Sequence, residues 1–199
     1  SNRFKCHRVG RIIAFDKTGT LTEGTPKVTD FVVANEQELM DILKIVASIE
    51  AQSTHPLAQA IVSYADEQKI ERLSDVLIQN HSGNGLSATI DGVHYKIGKP
   101  AFIGLQQATD FQNGLKKTLA QQGKTVIFIS RNDVVIGLAA MKDTIRPEAK
   151  QAIAALRNQN IYTVMLTGDN EETAKAIAQE AGINEYIAEC LPETKVKHI

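Results

Sequence analysis

The chain has 199 residues, which is enough to bury one large core or two small ones. Its apolar fraction of 43% is ordinary for a folded protein, and a net charge of −1 gives no reason to propose a nucleic acid or an acidic membrane surface as partner. No stretch approaches the roughly 18 to 20 apolar residues that cross a bilayer, and two cysteines, Cys6 and Cys190, make no disulfide framework.

The first predicted element is a short buried strand over Ile12–Asp16, which ends in a carboxylate. The sequence Asp-Lys-Thr-Gly-Thr-Leu-Thr occupies residues 16–22 and forms a polar turn after that strand. Open α/β sheets place their chemistry at the carboxyl edge of the strands. A carboxylate there can attack a phosphoryl group and form an aspartyl phosphate. A capping Asp before a Thr-rich turn is the structural alternative, and the full heptapeptide favours the nucleophile.

The middle of the chain, residues 25–140, predicts a self-sufficient α+β unit inserted into an α/β domain. Asp91-Gly92 and Asn132-Asp133 each separate two apolar runs, as hairpin turns do. Apolar residues at helical spacing predict helices between the strands. The predicted strands are Lys27–Val33, Leu86–Ile90, Val93–Ile97, Thr125–Ser130 and Val134–Ala140, and the predicted helices are Glu36–Ala51, His55–Gln68 and Gln107–Gln121.

The last part of the chain returns to alternating helices and strands. A helix between Asp143 and Asn158, a strand over Ile161–Thr167 and a helix from about Asn170 to Ala181 are predicted. This alternation is typical of a parallel sheet wound with helices. We therefore predict that residues 1–24 and 141–199 form the α/β domain and that residues 25–140 form the insertion.

Thr167-Gly168-Asp169 follows a buried strand and opens a helix. It brings a hydroxyl and backbone N–H groups to a helix N-terminus, where an anion is stabilised. Asp169 and Asn170 are also good helix caps. The capping and the anion-binding interpretations are compatible.

The heptapeptide at Asp16 resembles the phosphorylation motif of the P-type ATPases, membrane pumps whose catalytic domain has the haloacid dehalogenase fold. The resemblance implies that Asp16 attacks the γ-phosphate of ATP. Related phosphatases of this fold carry a second Asp two residues on, as the acid/base that hydrolyses the intermediate. Thr18 stands at that position, so the resemblance implies a longer-lived phosphoenzyme.

Three further segments are similar to motifs of the same family. Thr167–Asn170 resembles its Thr-Gly-Asp-Asn motif, Asp143-x-x-Arg146 resembles a motif for nucleotide and phosphate contacts, and Pro192–Lys195 resembles its Pro-x-x-Lys pattern. In that pattern the lysine neutralises the charge of the transferred phosphoryl group. The catalytic residues that the resemblance implies are Asp16, Lys17, Thr18, Thr167, Gly168, Asp169 and Lys195.

The resemblance also implies Mg²⁺ as a cofactor beside ATP, with the Asp16 carboxylate and the Thr18 backbone carbonyl as ligands. A further Asp, in the family's Gly-Asp-Gly-x-Asn-Asp segment, is expected beyond Ile199. Because Mg²⁺ is held by few protein carboxylates, the absence of one matters. We expect this chain by itself to bind nucleotide but to turn ATP over poorly or not at all.

The insertion resembles the nucleotide-binding domain of the heavy-metal P-type ATPases. Glycines permit close backbone approach to a base or a phosphate. The resemblance implies that Glu50 hydrogen-bonds the adenine amine, that His55 positions the ring, and that Gly83, Gly85 and Gly98 line the pocket. Asp143 and Arg146 complete the implied nucleotide contacts. Thr54 and Lys99 depart from the commoner pattern, which has Glu and Asn there.

The resemblance thus implies an ATP-binding, autophosphorylating part of a heavy-metal exporter at the cytoplasmic face of the cell membrane. Its implied partners are the transmembrane and actuator domains of the same polypeptide and a metal ion bound outside this chain. Residues 53–58 and 95–100 favour zinc or cadmium over copper. A soluble phosphatase of the same fold and a non-catalytic ATP-binding module remain alternatives. Thr18 disfavours the phosphatase, and Asp16 disfavours the binding module.

Overall fold

The fold is that of a computed structural model, described over residues 11–190. The strands are β1 (Arg11–Asp16), β2 (Lys27–Val33), β3 (Ile78–Asn80), β4 (Gly85–Ile90), β5 (Val93–Gly98), β6 (Thr125–Arg131), β7 (Val134–Lys142), β8 (Ile161–Leu166) and β9 (Glu185–Ile187). The helices are α1 (Leu39–Glu50), α2 (Pro56–Glu67), α3 (Pro100–Ile103), α4 (Asp110–Gln121), α5 (Pro147–Asn158) and α6 (Glu171–Ala181). No helix within the described range is long and apolar enough to cross a bilayer.

The described residues divide into two compact units. The parallel-sheet unit contains residues 11–25 and 143–190 together with Ala120–Gly123, and the inserted unit contains Pro26–Leu119 and Lys124–Lys142. The sequence analysis places the same two chain crossings one or two residues earlier, after residues 24 and 140. Each unit has an apolar core of its own.

The parallel-sheet unit is built on three parallel strands in the order β1-β8-β9. β8 is almost wholly buried. The prediction that β1 is buried is wrong, because none of its residues is buried and Ile12 is 56% exposed. Helix α6 begins where the Asn170 side chain accepts the Thr173 N–H at 2.9 Å, and it ends at Gly182 in the left-handed conformation. The cap and the glycine therefore determine both ends of this helix.

The inserted unit is a six-stranded antiparallel sheet in the order β2-β7-β6-β5-β4-β3. The two predicted hairpin turns have positive φ at both central residues, with Asp91 at 51° and Gly92 at 77°. Alternate side chains of the strands pack in two separate clusters, one containing residues of α1 and α2, the other residues of α3 and α4. Because alternate residues point to opposite sides of a sheet, the two helix pairs cover opposite faces.

Several predicted boundaries are wrong by a few residues. α1 begins at Leu39 after a short turn at Glu36–Glu38, and α4 begins at Asp110 rather than at residue 107. α5 begins at Pro147 and not near Asp143, because Ile145 forms a strand-like bridge with Thr22. The sequence analysis did not predict α3 or the three-residue strands β3 and β9, which are too short to show a periodic pattern.

Candidate active site

Asp16 lies at the carboxyl end of β1, opposite Leu166 at the carboxyl end of the neighbouring parallel strand β8. The loops that follow these two strands leave the sheet at the same edge. One carries Lys17 and Thr18, and the other carries Thr167, Gly168 and Asp169. The structure therefore brings together six of the seven residues predicted to act in catalysis. The seventh, Lys195, lies outside the described residues. Of the two cysteines, Cys6 also lies outside them.

A buried ion pair joins the two loops. Lys17 Nζ lies 2.6 Å from Asp169 Oδ2, and each side chain is only 9% exposed. The Thr167 hydroxyl donates to the same carboxylate oxygen at 3.0 Å and accepts the Asp169 N–H at 3.1 Å. Because charge-assisted hydrogen bonds are among the stronger ones, this network holds the loop of Asp16 against the loop that opens α6.

The loop after Asp16 is a wide turn over Lys17–Leu21 that requires a glycine. Gly19 has φ of 76°, and a Cβ added there would meet nothing within 4 Å. The glycine is therefore needed for its backbone conformation and not for space. The turn closes where the Thr22 N–H donates to the Lys17 carbonyl at 3.1 Å.

The donor set at Asp16 suits a magnesium ion that arrives with a substrate. Within residues 11–190 no group of three or more His, Cys, Asp or Glu side chains could hold a metal ion. The resemblance assigns a carboxylate and a backbone carbonyl to the ion, both hard oxygen ligands. Mg²⁺ is commonly held by one or two carboxylates, with waters and phosphate oxygens completing its shell. The residues present therefore fit such a Mg²⁺ and do not form an all-protein cage.

Asp143 and Arg146, predicted to contact the nucleotide, lie in the parallel-sheet unit. The Asp143 carboxylate accepts the N–H groups of Gly24 and Thr25, each at 3.2 Å. Arg146 Nε donates to the Thr22 carbonyl at 3.1 Å. Both side chains thus contact the chain segment that follows the Asp16 loop.

Glu50 and His55 lie at the junction of two helices in the inserted unit. Glu50 is the last residue of α1, and His55 caps α2, with its Nδ1 accepting the Leu57 N–H at 3.1 Å. A ring nitrogen that accepts carries no proton, so this cap requires the proton on Nε2. The cap therefore determines which ring nitrogen of His55 can donate to a ligand.

Gly85 and Gly98 face each other across β4 and β5. Their neighbours Leu86 and Ile97 pack in the same apolar cluster as Ile49. A Cβ on Gly85 would lie 2.2 Å from the Ile97 carbonyl oxygen, and one on Gly98 would lie 2.2 Å from the Asn84 carbonyl oxygen. These two glycines therefore permit the close approach of the strands. Among the three predicted glycines, only Gly83 has open space around it.

Burial raises the pKa of the Glu50 carboxyl from its ordinary value of 4.5 to about 7. Its side chain is buried, and desolvation is the cause of the shift. Because the charged form is poorly solvated there, the neutral form of the Glu50 carboxyl is favoured in the folded protein below about pH 7. The carboxyl of Glu50 consequently titrates near physiological pH.

This titration predicts a pH-dependent stability. Between pH 4.5 and about 7 the folded state binds more protons than the unfolded state, so the free energy of unfolding falls as pH rises. The loss contributed by Glu50 reaches about 3 kcal/mol above pH 7. Glu50→Gln should remove it, leaving a variant more stable than the wild type at pH 8 and similar at pH 4. Urea unfolding across this range measures the difference.

Glu67→Gln provides the control for that series, because Glu67 is an exposed residue at the end of α2. We expect its stability to follow that of the wild type at every pH. A Glu50→Gln variant whose pH profile also follows the wild type would show that the Glu50 carboxyl is solvated and titrates normally.

Thr22 is a residue of this site to which the sequence analysis assigned no role. It is 1% exposed, and its hydroxyl donates to the Lys17 carbonyl and accepts the Gly19 N–H, each at 3.2 Å. It closes the heptapeptide that begins with Asp16, which is the sequence signal that could have drawn attention to it. A Thr hydroxyl is usually solvated, and only the folded loop shows that this one is enclosed.

A sheet edge that carries an aspartate at the end of β1 and a Thr-Gly-Asp loop after β8 is typical of a hydrolase of the haloacid dehalogenase type. The family model described as "haloacid dehalogenase-like hydrolase" matches residues 11–198. The chain belongs to this family, as the catalytic domain of a heavy-metal P-type ATPase. The assignment to the heavy-metal P-type ATPases rests on relatives that are named as metal-transporting ATPases or as a catalytic domain of one.

Among these relatives, the zinc-transporting ATPase of Bacillus subtilis is 43% identical over 95% of this chain, which spans 30% of that protein. The copper-exporting P-type ATPase of Staphylococcus haemolyticus is 42% identical over 98% of the chain and 24% of its own length. The solved catalytic domain of the CPx-ATPase CopB-B matches the whole chain with a TM-score of 0.71 and 31% identity, over 69% of that structure. The predicted fold and family are confirmed.

A solved structure described as a zinc-transporting PIB-type ATPase matches 95% of this chain with a TM-score of 0.62 and 38% identity. The chain spans 30% of that structure, in agreement with the share of the curated relatives. Relatives named for zinc, copper and cadmium are 43%, 42% and 39% identical. Such similar values do not distinguish the transported metal.

Proposed function

We propose that this chain binds ATP on its inserted unit and accepts the γ-phosphate on Asp16, to drive heavy-metal export by the longer polypeptide that carries it. The observation that supports this most is the position of Asp16 at the carboxyl edge, beside Lys17 and the Thr167–Asp169 loop, with Thr18 two residues on. A Thr cannot activate water as a carboxylate does. The phosphoenzyme should therefore persist while the pump changes conformation.

In the proposed step, a carboxylate oxygen of Asp16 attacks the γ-phosphorus of ATP. An O–P bond forms, the bond from the γ-phosphorus to the β–γ bridging oxygen breaks, and ADP leaves with that electron pair. Thr167 and Gly168 contact the phosphoryl oxygens, and Lys17 and Lys195 supply positive charge. A Mg²⁺ ion held by Asp16 and the Thr18 carbonyl would neutralise charge on the phosphate oxygens. Catalysis is then mainly positioning and electrostatic stabilisation.

The nucleotide contacts belong to the same proposal. The Glu50 carboxyl accepts a hydrogen bond from the adenine amine, His55 positions the adenine ring, and Gly83 leaves space for the ligand. The remaining proposed nucleotide contacts are those of Gly85, Gly98, Asp143 and Arg146. The proposed cargo is zinc, cadmium, cobalt or lead, with zinc or cadmium favoured on the sequences of residues 53–58 and 95–100 and copper the next choice. The parent is proposed to be an integral membrane protein with this chain at the cytoplasmic face, beside its transmembrane and actuator domains.

The test is covalent labelling of the full-length polypeptide in membranes with ATP carrying a labelled γ-phosphate. We expect acid-stable, hydroxylamine-sensitive label that is lost in Asp16→Asn and retained in Glu23→Gln, a change at an exposed acid of the same unit. Zinc, cadmium, cobalt, lead and cuprous ions are compared. Stimulation by zinc or cadmium supports the proposed cargo, and stimulation by cuprous ion alone contradicts it.

Two outcomes would overturn the proposed reaction itself. Normal ATP binding without label under any ion would indicate a non-catalytic ATP-binding module. Label that turns over within milliseconds, together with Asp16-dependent hydrolysis of simple phosphate esters, would indicate a phosphatase of the same fold.

A further inference from the structure

Thr22 lies at the centre of a hydrogen-bond network around the Asp16 loop. Its backbone N–H and its hydroxyl both donate to the Lys17 carbonyl, at 3.1 and 3.2 Å. The hydroxyl oxygen also accepts the N–H of Gly19 at 3.2 Å. One buried residue therefore bonds both the first residue and the central glycine of the turn that follows the nucleophile.

Thr22 is itself bonded to the segment that precedes α5. Arg146 Nε donates to the Thr22 carbonyl at 3.1 Å, and Ile145 forms a backbone bridge with Thr22. On either side, the Arg146 N–H donates to the Leu21 carbonyl and the Glu23 N–H donates to the Thr144 carbonyl. The contacts run without a break from the backbone before α5 to the backbone beside Asp16.

Asp143 extends this arrangement along the chain. Its two carboxylate oxygens accept the N–H groups of Gly24 and Thr25. A Cβ added to Gly24, which has φ of 77°, would lie 3.4 Å from the Gly19 Cα. The segment after Thr22 is thus packed against the turn and is held there by a carboxylate that accepts two backbone donors.

We infer that Thr22 and Arg146 are positioning residues for the Asp16 nucleophile: Arg146 fixes Thr22, and the Thr22 hydroxyl fixes the turn from Lys17 to Gly19. Asp143 supports the segment that follows Thr22, by accepting the N–H groups of Gly24 and Thr25. This role rests on the proposed function of Asp16. It means that Asp143 and Arg146 stabilise the Asp16 loop within the parallel-sheet unit, in addition to making the proposed nucleotide contacts. Because displacement of a reacting group by about 1 Å can slow a reaction about 100-fold, loss of this support should reduce the rate of phosphorylation.

A matched pair of substitutions at Thr22 tests the inference. Thr22→Val keeps the shape and removes the hydroxyl, so Gly19 loses its acceptor, whereas Thr22→Ser keeps the hydroxyl. In the full-length polypeptide we expect Thr22→Val to slow phosphorylation roughly 10- to 100-fold with an unchanged KM for ATP. Thr22→Ser should restore most of the rate. Arg146→Lys should be as slow as Thr22→Val, because lysine keeps the charge but lacks the Nε–H.

Thr163→Val is the control for a merely structural loss. Thr163 is a fully buried threonine of β8, and its hydroxyl donates to Asn184 Oδ1 at 2.9 Å and accepts the Asn184 N–H at 3.1 Å. Its substitution removes a comparable hydrogen-bonded hydroxyl from the same unit. We expect a similar loss of stability without the fall in phosphorylation rate. Equal rates for Thr22→Val and the wild type, or an equal fall in Thr163→Val, would overturn the inference.

A second measurement on the 199-residue chain does not depend on the proposed function. Amide hydrogen exchange by NMR should be faster at Gly19 in Thr22→Val than in the wild type or in Thr22→Ser. Unchanged exchange at Gly19 would show that the hydroxyl does not hold the turn, even if Asp16 is phosphorylated. If instead Asp16→Asn keeps its label while Gly19 exchange responds as expected, the proposed function fails and the structural support of the loop stands.

Discussion

Gly85→Ala is expected to unfold the inserted unit or to destabilise it by about 3 kcal/mol or more. The new Cβ would lie 2.2 Å from the carbonyl oxygen of Ile97 and 2.8 Å from the Cα of Gly98. Both obstacles are backbone atoms of the paired strand, so no side chain can rotate away. The pairing of β4 with β5 must open, and the apolar cluster that contains Leu86 and Ile97 loses its support. Urea unfolding and the amide spectrum of the chain measure this effect.

Gly83→Ala is the matched control. Gly83 has φ of 79° and nothing within 4 Å of the added Cβ, so the cost is that of a left-handed alanine, about 1 kcal/mol. Equal stabilities of the two variants would contradict the expected clash at Gly85. The comparison also guides binding studies. Loss of ATP binding in Gly85→Ala would report unfolding, whereas a loss in Gly83→Ala would report on the pocket.

Lys17→Met is expected to destabilise the parallel-sheet unit by about 3 kcal/mol at pH 7. The substitution removes the cation that lies 2.6 Å from the Asp169 carboxylate, and both side chains are only 9% exposed. Removing one partner of a buried pair costs more than the pair itself contributes, because a charge stays behind in a poorly solvated place. Urea unfolding followed by the amide resonances of the unit measures the loss.

The double variant Lys17→Met, Asp169→Asn should recover part of this loss, since the buried negative charge is removed together with the cation that lies 2.6 Å from it. The coupling energy from the double-mutant cycle isolates the interaction between the two loops. Lys175→Met, at an exposed position of α6, should change the stability by less than about 0.5 kcal/mol. Additive effects of the two loop substitutions would contradict the proposed contribution of the ion pair.

The local parts of the fold were predictable because short-range chemistry determines them. Gly182 ends α6 where the sequence analysis placed its end, and the Asp91-Gly92 turn produces the hairpin of β4 and β5. Asp16 was located by the apolar run that precedes it and by the heptapeptide that it begins, although the strand itself is not buried as predicted. The strands β3 and β9, with three residues each, have too few positions to show a pattern, and pairing alone defines them.

The amino-acid sequence by itself determined the family motifs and the alternation of helices and strands in the α/β part, because these depend on neighbouring residues and on periodicity. Only the tertiary structure decided which residues distant in the chain are in contact at the site. Lys17 and Asp169 are separated by 152 positions in the chain, and Arg146 and Thr22 by 124. Nothing local requires these contacts; they follow from the pairing of β1 with β8 and from the return of the chain to the parallel-sheet unit at residue 143. Gly85 and Gly98 are a further case. The sequence analysis placed them in a ligand pocket, and only the pairing of β4 with β5 shows that their backbones leave no room for a Cβ.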